Sequence, residues 1–367
     1  MTGGLDKTLQ LFQMTGSKNV LLKRVFLQDL PIRCAQFTAD GKEIIISGRR
    51  PYFYVFGLKD FQCKKIDQLI GRDESSLEKF WISPNNQHIV FLGNRGHLIV
   101  VSRKTKCPIK TLHLSDGISD CKFNKNGSRM HCLTIYNKIY TFDMTSFACI
   151  DMIVCDGMVN GTCLDVASPQ NLFALGCNSG VVSVFQKDIV AKGKDGTQVM
   201  TNASQTQTVS GMTKALYSVN NLTTTINGVK FNHDGQLLAI WSVNKRLAVR
   251  LVHVSTGKVF QKWPTNERFR RVCKCTFSPN SGFLAIGTDS GYVHLIVQKH
   301  VFICVEQICS TMWLIKLRLQ NFLNLIQSFS SFEITLKAFR KCYLNFLLFD
   351  KEYLVCKNSI QTNKKKC

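Results

Sequence analysis

The chain has 367 residues, a formal net charge of +23 and a sequence pI near 9.5, and 45% of its residues are hydrophobic, which is ordinary for a globular protein. The longest apolar candidate for a membrane span, 313–326, is interrupted by Lys316 and Arg318, so the sequence predicts no span. The charge favours polyanionic partners, nucleic acid before acidic membrane surfaces, although a generally basic protein would show the same excess.

The start of the chain and its cysteines both predict a reducing compartment. Nothing at residues 1–6 resembles a signal peptide, and the 16 cysteines form no CxxC pair. We expect reduced, mostly buried thiols that act as small hydrophobic side chains, and no cofactor. Cys273 and Cys275 alternate along one predicted strand and are expected to share a face. A metal or redox site there is the alternative, although a zinc site needs four ligands.

Strand and turn signals recur from the first residues onward. Residues 4–13, GLDKTLQLFQ, predict a turn and a strand from the second half of a blade whose first two strands are missing. Six fuller copies follow, each with a strand that ends in Phe or an aliphatic residue, a polar turn and an apolar strand. Their aligned anchor residues are Phe37, Ile82, Phe123, Val166, Phe231 and Phe277. The intervals are 45, 41, 43, 65 and 46 residues, and four of the five fit a WD40 repeat.

The turns between these strands support the repeat. Asp-Gly, Asn-Gly or Asn-Ser pairs follow several anchors, and such pairs tolerate positive φ angles and make tight hairpins. A second turn that contains Gly leads to a third strand in 94–101, 178–185 and 289–296. Strand–turn–strand–turn–strand is most of a four-stranded blade. The sequence therefore predicts an all-β, WD40-type β-propeller over residues 1–296.

Two segments depart from the repeat. The longest interval holds a polar insertion at about 187–222, which predicts a surface loop between blades, with a partner-binding loop as the alternative. Residues 297–367 contain no Gly and no Pro, although the chain has 24 and 7 of them. Without turn residues this tail cannot continue the repeat, and we expect it to be irregular or helical. Our hypothesis is that it is a non-native terminus; a genuine helical appendage is the alternative.

Enzyme motifs are lacking in the sequence. It contains no GxSxG, no HExxH, no phosphate-binding loop and no dinucleotide fingerprint, and its eight histidines are dispersed. His233 beside Asp234 is expected in a surface turn rather than in a catalytic pair. We therefore predict a protein that is not an enzyme, has no small-molecule substrate and has no catalytic or metal-binding residues. A site assembled in the central channel of the propeller stays open as an alternative.

Basic residues cluster within 244–274, where Glu267 is the sole opposing charge. The arginines around Phe269 lie in a predicted connection between blades, where exposed guanidinium groups can bind phosphates. The candidate contacts to RNA or to a partner are Lys245, Arg246, Arg250, Arg268, Arg270, Arg271 and Lys274. Two smaller clusters at turns are Arg49 with Arg50, and Arg103 with Lys104 and Lys106. For all of these the alternative is a solvated rim of cations.

Several segments carry a family resemblance. The most specific is AVRLVH, Ala248 to His253, within LAVRLVHVSTGKVFQKWP. Further segments are CTFSPNSGFLAIGTDSGYVHLI at 275–296, GLDKTLQLFQ at 4–13, VFLQDLPIRCAQFTADGKE at 25–43 and ALGCNSGVVSVF at 174–185. Over about residues 3–296 the chain resembles the U3 small-nucleolar-RNA-associated protein 18 family, nucleolar WD40 proteins of the small-subunit processome.

The resemblance implies a seven-bladed ring with an incomplete first blade, and a non-enzymatic scaffold in the nucleolus that supports U3-dependent processing of pre-rRNA toward 18S rRNA. The implied partners are other WD40 proteins of the processome, the U3 ribonucleoprotein and pre-rRNA. The resemblance also implies an N-terminal extension that recruits an exosome-associated helicase; because Met1 falls within the first predicted blade, we do not expect this chain to carry that recruitment. We also expect lower stability than in a complete ring, because open strand edges remain.

A different class of function is the second hypothesis. A generic WD40 adaptor, such as a ubiquitin-ligase substrate receptor or a signalling scaffold, would keep the propeller and lose the RNA role. An F-box or a helical degradation motif would favour it, and the sequence shows neither.

Overall fold

The structure is a computed structural model, and it describes residues 1–14, 19–167, 170–186, 209–261, 263–264 and 269–297. The predictions for the tail, 297–367, lie outside these residues except at Val297. Within the described ranges no helix has the length and apolar character that a membrane crossing requires.

Strands form seven sheets, numbered here as blades 1 to 7 in chain order. Blade 1 contains β1 (Thr2–Gly3), β2 (Thr8–Met14) and β3 (Asn19–Phe26). Blade 2 contains β4 (Cys34–Phe37), β5 (Glu43–Ser47), β6 (Phe53–Gly57) and β7 (Cys63–Ile66). Blade 3 contains β8 (Phe80–Ile82), β9 (His88–Leu92), β10 (His97–Ser102) and β11 (Pro108–His113). Blade 4 contains β12 (Ile118–Phe123), β13 (Arg129–Thr134), β14 (Lys138–Asp143) and β15 (Cys149–Cys155).

The remaining blades follow the same scheme. Blade 5 contains β16 (Gly161–Ala167), β17 (Leu172–Cys177), β18 (Val182–Gln186) and β20 (Tyr217–Val219). Blade 6 contains β21 (Gly228–Phe231), β22 (Leu237–Trp241), β23 (Val249–His253) and β24 (Lys258–Val259). Blade 7 contains β25 (Val272–Phe277), β26 (Phe283–Thr288) and β27 (Val293–Val297). Neighbouring strands within each blade are antiparallel, and the predicted all-β, seven-bladed propeller is confirmed.

The repeat anchors mark the innermost strand of each blade. Phe37, Ile82, Phe123, Phe231 and Phe277 are the last residues of the first strands of blades 2, 3, 4, 6 and 7, and Val166 is the penultimate residue of β16. These first strands contact one another from blade to blade, so they surround the central channel. The sequence period is therefore the spacing of the inner strands.

Apolar side chains between adjacent blades form the core. Six buried clusters join blade 1 to 2, 2 to 3, and so on to blade 7, and among the described residues no such cluster joins blades 7 and 1. Between blades 2 and 3, the rings of Phe53 and Phe80 lie 4.9 Å and 5.5 Å from that of Phe91. Burial of rings of this size is a large part of the stabilisation of each interface.

Polar side chains near the inner strands link three pairs of adjacent blades. The Gln36 amide donates to the carbonyl oxygen of Phe80 at 3.0 Å. Asp120 accepts the backbone N–H of Leu164 at 3.1 Å, and Asp165 accepts that of Phe231 at 2.7 Å. Because these bonds cross from one repeat to the next, they set the alignment of neighbouring blades. This series is called the inner-strand relay below.

Three expectations need correction. The insertion predicted as a loop at about 187–222 lies outside the described residues up to 208, but β19 (Val209–Thr213) then pairs in parallel with β15 of blade 4, and β20 is the outer strand of blade 5. A loop prediction based on polar composition missed them because edge strands need few apolar residues. Blade 1 has three strands rather than two, since the two-residue β1 pairs with β2.

The third correction concerns the two cysteines of β25. Cys275 is buried between blades 6 and 7, whereas Cys273 is exposed. The register with β26 shifts between Val272 and Lys274, and this β-bulge changes which side chains face the core. The expected shared face therefore does not exist.

The antiparallel order gives the propeller two distinct faces. The turn between the second and third strands of a blade emerges at the same end as the connection to the next blade, and this end is called the connection face. Turns after the first and third strands emerge at the other end, the hairpin face. Gly96 and Gly180 have φ angles of 74° and 89°, and a Cβ on either would lie 2.4 Å from a carbonyl oxygen of the adjoining connection, Leu114 or Leu222. Glycine permits both the turn and this close approach.

Candidate functional site

Four of the predicted basic residues come together on the connection face. Lys245 and Arg246 lie in the turn between β22 and β23 of blade 6, and Arg270 and Arg271 lie in the connection to blade 7. All four are exposed. They are called the basic patch from here on.

Backbone hydrogen bonds hold the two loops of the basic patch to each other and to the turn between β26 and β27 of blade 7. The Leu247 N–H donates to the carbonyl oxygen of Arg270 at 3.1 Å, and the Asp289 N–H donates to that of Arg271 at 3.0 Å. Leu247 has a φ angle of 56°, which is uncommon for a residue other than glycine and turns the chain sharply at this contact. The loops are therefore fixed by main-chain contacts, and their four cationic side chains are left to the solvent.

The electrostatics of the basic patch favour an anionic partner. None of its four side chains forms an ion pair with any residue that the structure describes, and Asp289 contributes one exposed acidic residue at the edge. Unpaired guanidinium groups present parallel N–H donors that match phosphate oxygens. Such an arrangement can hold a phosphodiester backbone without reading its sequence.

Of the other three candidate residues, Arg250 and Lys274 lie outside this patch. Arg250 lies on β23, and its Nη1 donates to the carbonyl oxygens of Val249 at 2.7 Å and Leu247 at 3.0 Å, so it supports the turn from within. Lys274 lies on the inner strand β25 rather than in either loop, and its positive charge opposes the rise that burial causes in the pKa of the Cys34 thiol. Arg268 lies outside the described residues, and its neighbour Phe269 is buried rather than exposed.

The smaller basic clusters are mostly neutralised. Arg103 Nη1 lies 3.0 Å from Asp40 Oδ2, and Lys106 Nζ lies 2.8 Å from Glu43 Oε2, so this cluster binds blade 3 to blade 2 on the hairpin face. Arg49 Nε lies 2.8 Å from Glu78 Oε2. The expectation that cations near each other in sequence form open contact sites is thus not met in the 103–106 cluster, because their acidic partners come from another repeat.

Acidic residues of the inner strands have structural partners. Besides their backbone contacts in the inner-strand relay, Asp165 accepts from Lys230 Nζ at 3.1 Å, and Asp120 accepts from Trp81 Nε1 at 3.2 Å. Burial lowers the pKa of Lys122, but Asp120 and Asp165 more than offset this, so the pKa is raised above 10.5. Across the described residues, no three His, Cys, Asp or Glu side chains form a group that could hold a metal ion.

Comparison with known proteins gives a consistent relationship. The chain is 36% identical to the U3 small nucleolar RNA-associated protein 18 homolog of Arabidopsis thaliana over 301 residues, 82% of this chain and 52% of that protein. It is 27% identical to the human homolog over 294 residues and 26% identical to the Saccharomyces cerevisiae protein over 347 residues. Over about four fifths of its length, the chain is similar to U3 small nucleolar RNA-associated protein 18 homologs of plants, fungi and animals.

The similarity covers part of each relative. The chain spans about half the length of the curated relatives it matches, 52% of the Arabidopsis protein and 50% of the human one. No protein-family model matches it. Among solved structures, the β-propeller domain of Cps50 (Swd1) from Myceliophteria thermophila superposes with a TM-score of 0.62 at 10% identity, over 81% of this chain and 91% of that one. At that identity the likeness shows the fold alone.

Sequence reasoning missed one polar site of this protein. A cleft of about 300 Å³ opens on the connection face between blades 2 and 3, and its lining includes Arg72, Glu74, Arg95 and His97. The cleft residues are split between two repeats and include both charges, so no charge run marked them. In the sequence, the turn Asn-Arg-Gly-His at 94–97 indicates only a glycine-containing turn before a strand.

Proposed function

We propose that this chain is a non-enzymatic β-propeller scaffold of small-ribosomal-subunit assembly in the nucleolus, where it supports U3-dependent processing of pre-rRNA toward 18S rRNA. The observation that carries this proposal is the similarity to U3 small nucleolar RNA-associated proteins of plants, fungi and animals, which extends over about 80% of the chain. The proposed partners are other WD40 proteins of the processome, the U3 ribonucleoprotein and pre-rRNA.

The basic patch is the surface through which we expect the chain to contact RNA phosphates. Four exposed cations on two linked loops can each replace a counterion on an RNA phosphate, and release of those counterions favours binding. Contacts of this kind position an RNA strand but carry no sequence information. The patch would therefore set affinity and salt dependence, while the remainder of the connection face is free to contact other parts of the assembly.

The test is recovery of RNA with the tagged chain from cells. We expect U3 RNA and the 5′ region of pre-rRNA to co-purify, and the recovery to fall as salt is raised. Replacement of all four patch residues, K245A/R246A/R270A/R271A, is expected to reduce this RNA by about tenfold or more while the protein stays folded.

A matched variant with the same loss of charge controls for net charge. Lys42, Lys59 and Lys104 are exposed on turns of the hairpin face, and Lys258 is exposed at the start of β24. The variant K42A/K59A/K104A/K258A is expected to retain RNA. Equal losses in the two variants would contradict a role for the patch. Recovery of protein partners without U3 RNA or pre-rRNA from a folded, soluble chain would instead favour a general WD40 adaptor.

A further inference from the structure

The cleft between blades 2 and 3 lies on the same face as the basic patch. One wall is the connection from β7 to β8, which contributes Arg72, Asp73 and Glu74, and the other is the turn from β9 to β10, which contributes Asn94, Arg95 and His97. Its volume of about 300 Å³ is at the lower end of small-ligand pockets and is large enough for one nucleobase.

A buried carboxylate builds the floor between these walls. Glu74 is 4% exposed, pairs with the Arg72 guanidinium, and accepts the backbone N–H of Asn94 at 2.5 Å. Gly93 makes room for it, since a Cβ at that position would lie 2.8 Å from Glu74 Oε2. Glu74 is thus satisfied within the protein, and it fixes one wall of the cleft to the other.

The imidazole of His97 has unused hydrogen-bonding capacity. Its Nδ1 atom is buried and has no hydrogen-bond partner among the described residues, and its ring lies 4.6 Å from that of His113. Burial, and then the positive charge of Arg72, lowers the pKa of His97 below 6.5, so the ring is neutral at pH 7 and has one donor and one acceptor. A buried polar atom without a partner is uncommon in folded proteins and suits a ligand that supplies one.

Two exposed side chains of opposite charge complete the lining. Arg95 has a φ angle of 54°, an uncommon conformation for a residue with a side chain, and forms no ion pair with a described residue. Asp73 is exposed, and its Oδ1 accepts from the Gln68 amide at 3.1 Å, which leaves further acceptor capacity on the carboxylate. Arg72 with Glu74 and Arg95 with Asp73 give a formal charge of zero.

This balance separates the cleft from the basic patch. A phosphate in the cleft would meet two carboxylates as well as two guanidinium groups, whereas the patch offers it four cations and one nearby acid. A neutral, planar group with donors on one edge and acceptors on another suits the cleft better. Guanine has such edges, because arginine pairs with its O6 and N7 atoms and a carboxylate accepts from its N1–H and N2–H groups.

We propose that the cleft binds one unstacked guanine base of a single-stranded RNA whose backbone lies on the connection face. Arg95 donates to the O6 and N7 edge, Asp73 accepts from the N1–H and N2–H edge, and the unpartnered imidazole of His97 supplies a further hydrogen bond. Bases outside a helix are commonly read in this way by arginine, histidine and carboxylate groups. This inference rests on the proposed RNA function, because it assigns sequence readout to the cleft and affinity to the patch.

The test compares labelled single-stranded RNA 12-mers in binding to the full chain. One oligonucleotide is all uridine, and others carry a single central guanine, inosine or 7-deazaguanine. We expect guanine to bind about tenfold tighter than uridine. Inosine, which lacks the N2 amino group, and 7-deazaguanine, which lacks N7, should each lose most of that gain. Equal binding of the guanine and uridine oligonucleotides by the wild-type chain would overturn the proposal.

Variants separate the cleft from the patch. Arg95→Ala and Asp73→Asn are expected to bring the guanine-to-uridine ratio below about twofold without changing the salt dependence, whereas Arg50→Ala, another exposed arginine of the same face, keeps the tenfold ratio. K245A/R246A/R270A/R271A should weaken both oligonucleotides equally and leave the ratio intact. A ratio that is unchanged in Arg95→Ala and Asp73→Asn would also overturn the proposal.

Free guanosine distinguishes failure of the cleft from failure of the RNA role. This nucleoside carries no phosphate, so its binding does not depend on the basic patch, and it also reports a free guanine compound as the ligand source. If RNA does not bind at all, guanosine that perturbs the His97 ring resonances in the wild type, but not in Arg95→Ala, still supports a guanine site. Perturbation by inorganic phosphate and not by guanosine would show an anion site instead and refute the proposal.

Discussion

Two groups of cations, the basic patch on blades 6 and 7 and the 103–106 cluster on blade 3, have the same residue types and opposite surroundings. The patch side chains are exposed and form no ion pair with a described residue, whereas Arg103 and Lys106 are 17% and 14% exposed and contact Asp40 and Glu43 of blade 2. The acidic partners of Arg103 and Lys106 come from a neighbouring repeat. Cations near each other in sequence therefore indicate a binding site only where the facing repeat leaves them unpaired.

The largest expected effect is on RNA affinity. K245A/R246A/R270A/R271A should reduce affinity for a single-stranded RNA 12-mer about hundredfold at 50 mM salt, because up to four phosphate contacts are lost. The slope of log K against log salt should become shallower by about 2.8, which is about 0.7 for each contact. Fluorescence anisotropy over a salt series measures both. An unchanged slope would show that the patch touches no phosphates and would remove the contrast between the two groups.

The next effect is on folding. Glu43→Gln removes the ion-pair partner of Lys106 and leaves a largely buried ammonium group without its counter-charge. We expect the free energy of unfolding to fall by about 2 kcal/mol, with RNA affinity unchanged. Urea denaturation followed by circular dichroism measures the change. Loss of RNA affinity without loss of stability would reverse the roles assigned to the two groups.

Acid should weaken the ion pairs of the 103–106 cluster and leave the basic patch, which has no such pairs among the described residues, unaffected. A hydrogen bond from the Thr38 hydroxyl, supported by Arg103, lowers the pKa of Asp40 below 3.8. Because the folded-state pKa is the lower one, this stabilisation is present above about pH 4 and is lost as pH falls through the folded-state value. Asp40→Asn should therefore lower stability at pH 7 and reduce its decline below pH 4. Thermal melts over a pH series measure this. An equally steep fall in melting temperature below pH 4 in the wild type and in Asp40→Asn would contradict this assignment.

The smallest effect is expected at an exposed pair. Arg49 forms an ion pair with Glu78 at 2.8 Å, but its side chain is 67% exposed, so solvent screens the interaction. Arg49→Ala should change the free energy of unfolding by no more than about 0.5 kcal/mol. A loss near that of Glu43→Gln would mean that burial does not distinguish the pairs.

Much of the fold was predictable because the repeat is local. Each anchor residue, such as Phe123 or Phe231, lies at or next to the end of an inner strand whose alternation and following turn are encoded within a few residues. The features that the sequence did not predict depend on pairing between strands that are separate in the chain. The bulge that separates Cys273 from Cys275 depends on pairing with β26, and the parallel β15–β19 pair joins blade 4 to a strand within the insertion.

The candidate site was predictable in part for the same reason. Lys245, Arg246, Arg270 and Arg271 are close in sequence and in space because one turn and the next connection share a face. The cleft at Arg72 and His97 joins two repeats and is neutral overall, so neither charge nor motif identified it. Only the packing of the described residues shows that the Nδ1 atom of His97 has no hydrogen-bond partner among them.

The inner-strand relay also constrains the order in which the protein can mature during translation. The Asp165 carboxylate accepts the N–H of Phe231, which is 66 residues later in the chain. The Asp120 carboxylate accepts the N–H of Leu164, which is 44 residues later. At about 5 to 20 residues per second, a ribosome needs about 3 to 13 s to deliver the partner of Asp165. Newly made blades 4 and 5 therefore each present a hydrated carboxylate until the next blade emerges, and completion of each acts as the template for docking the next.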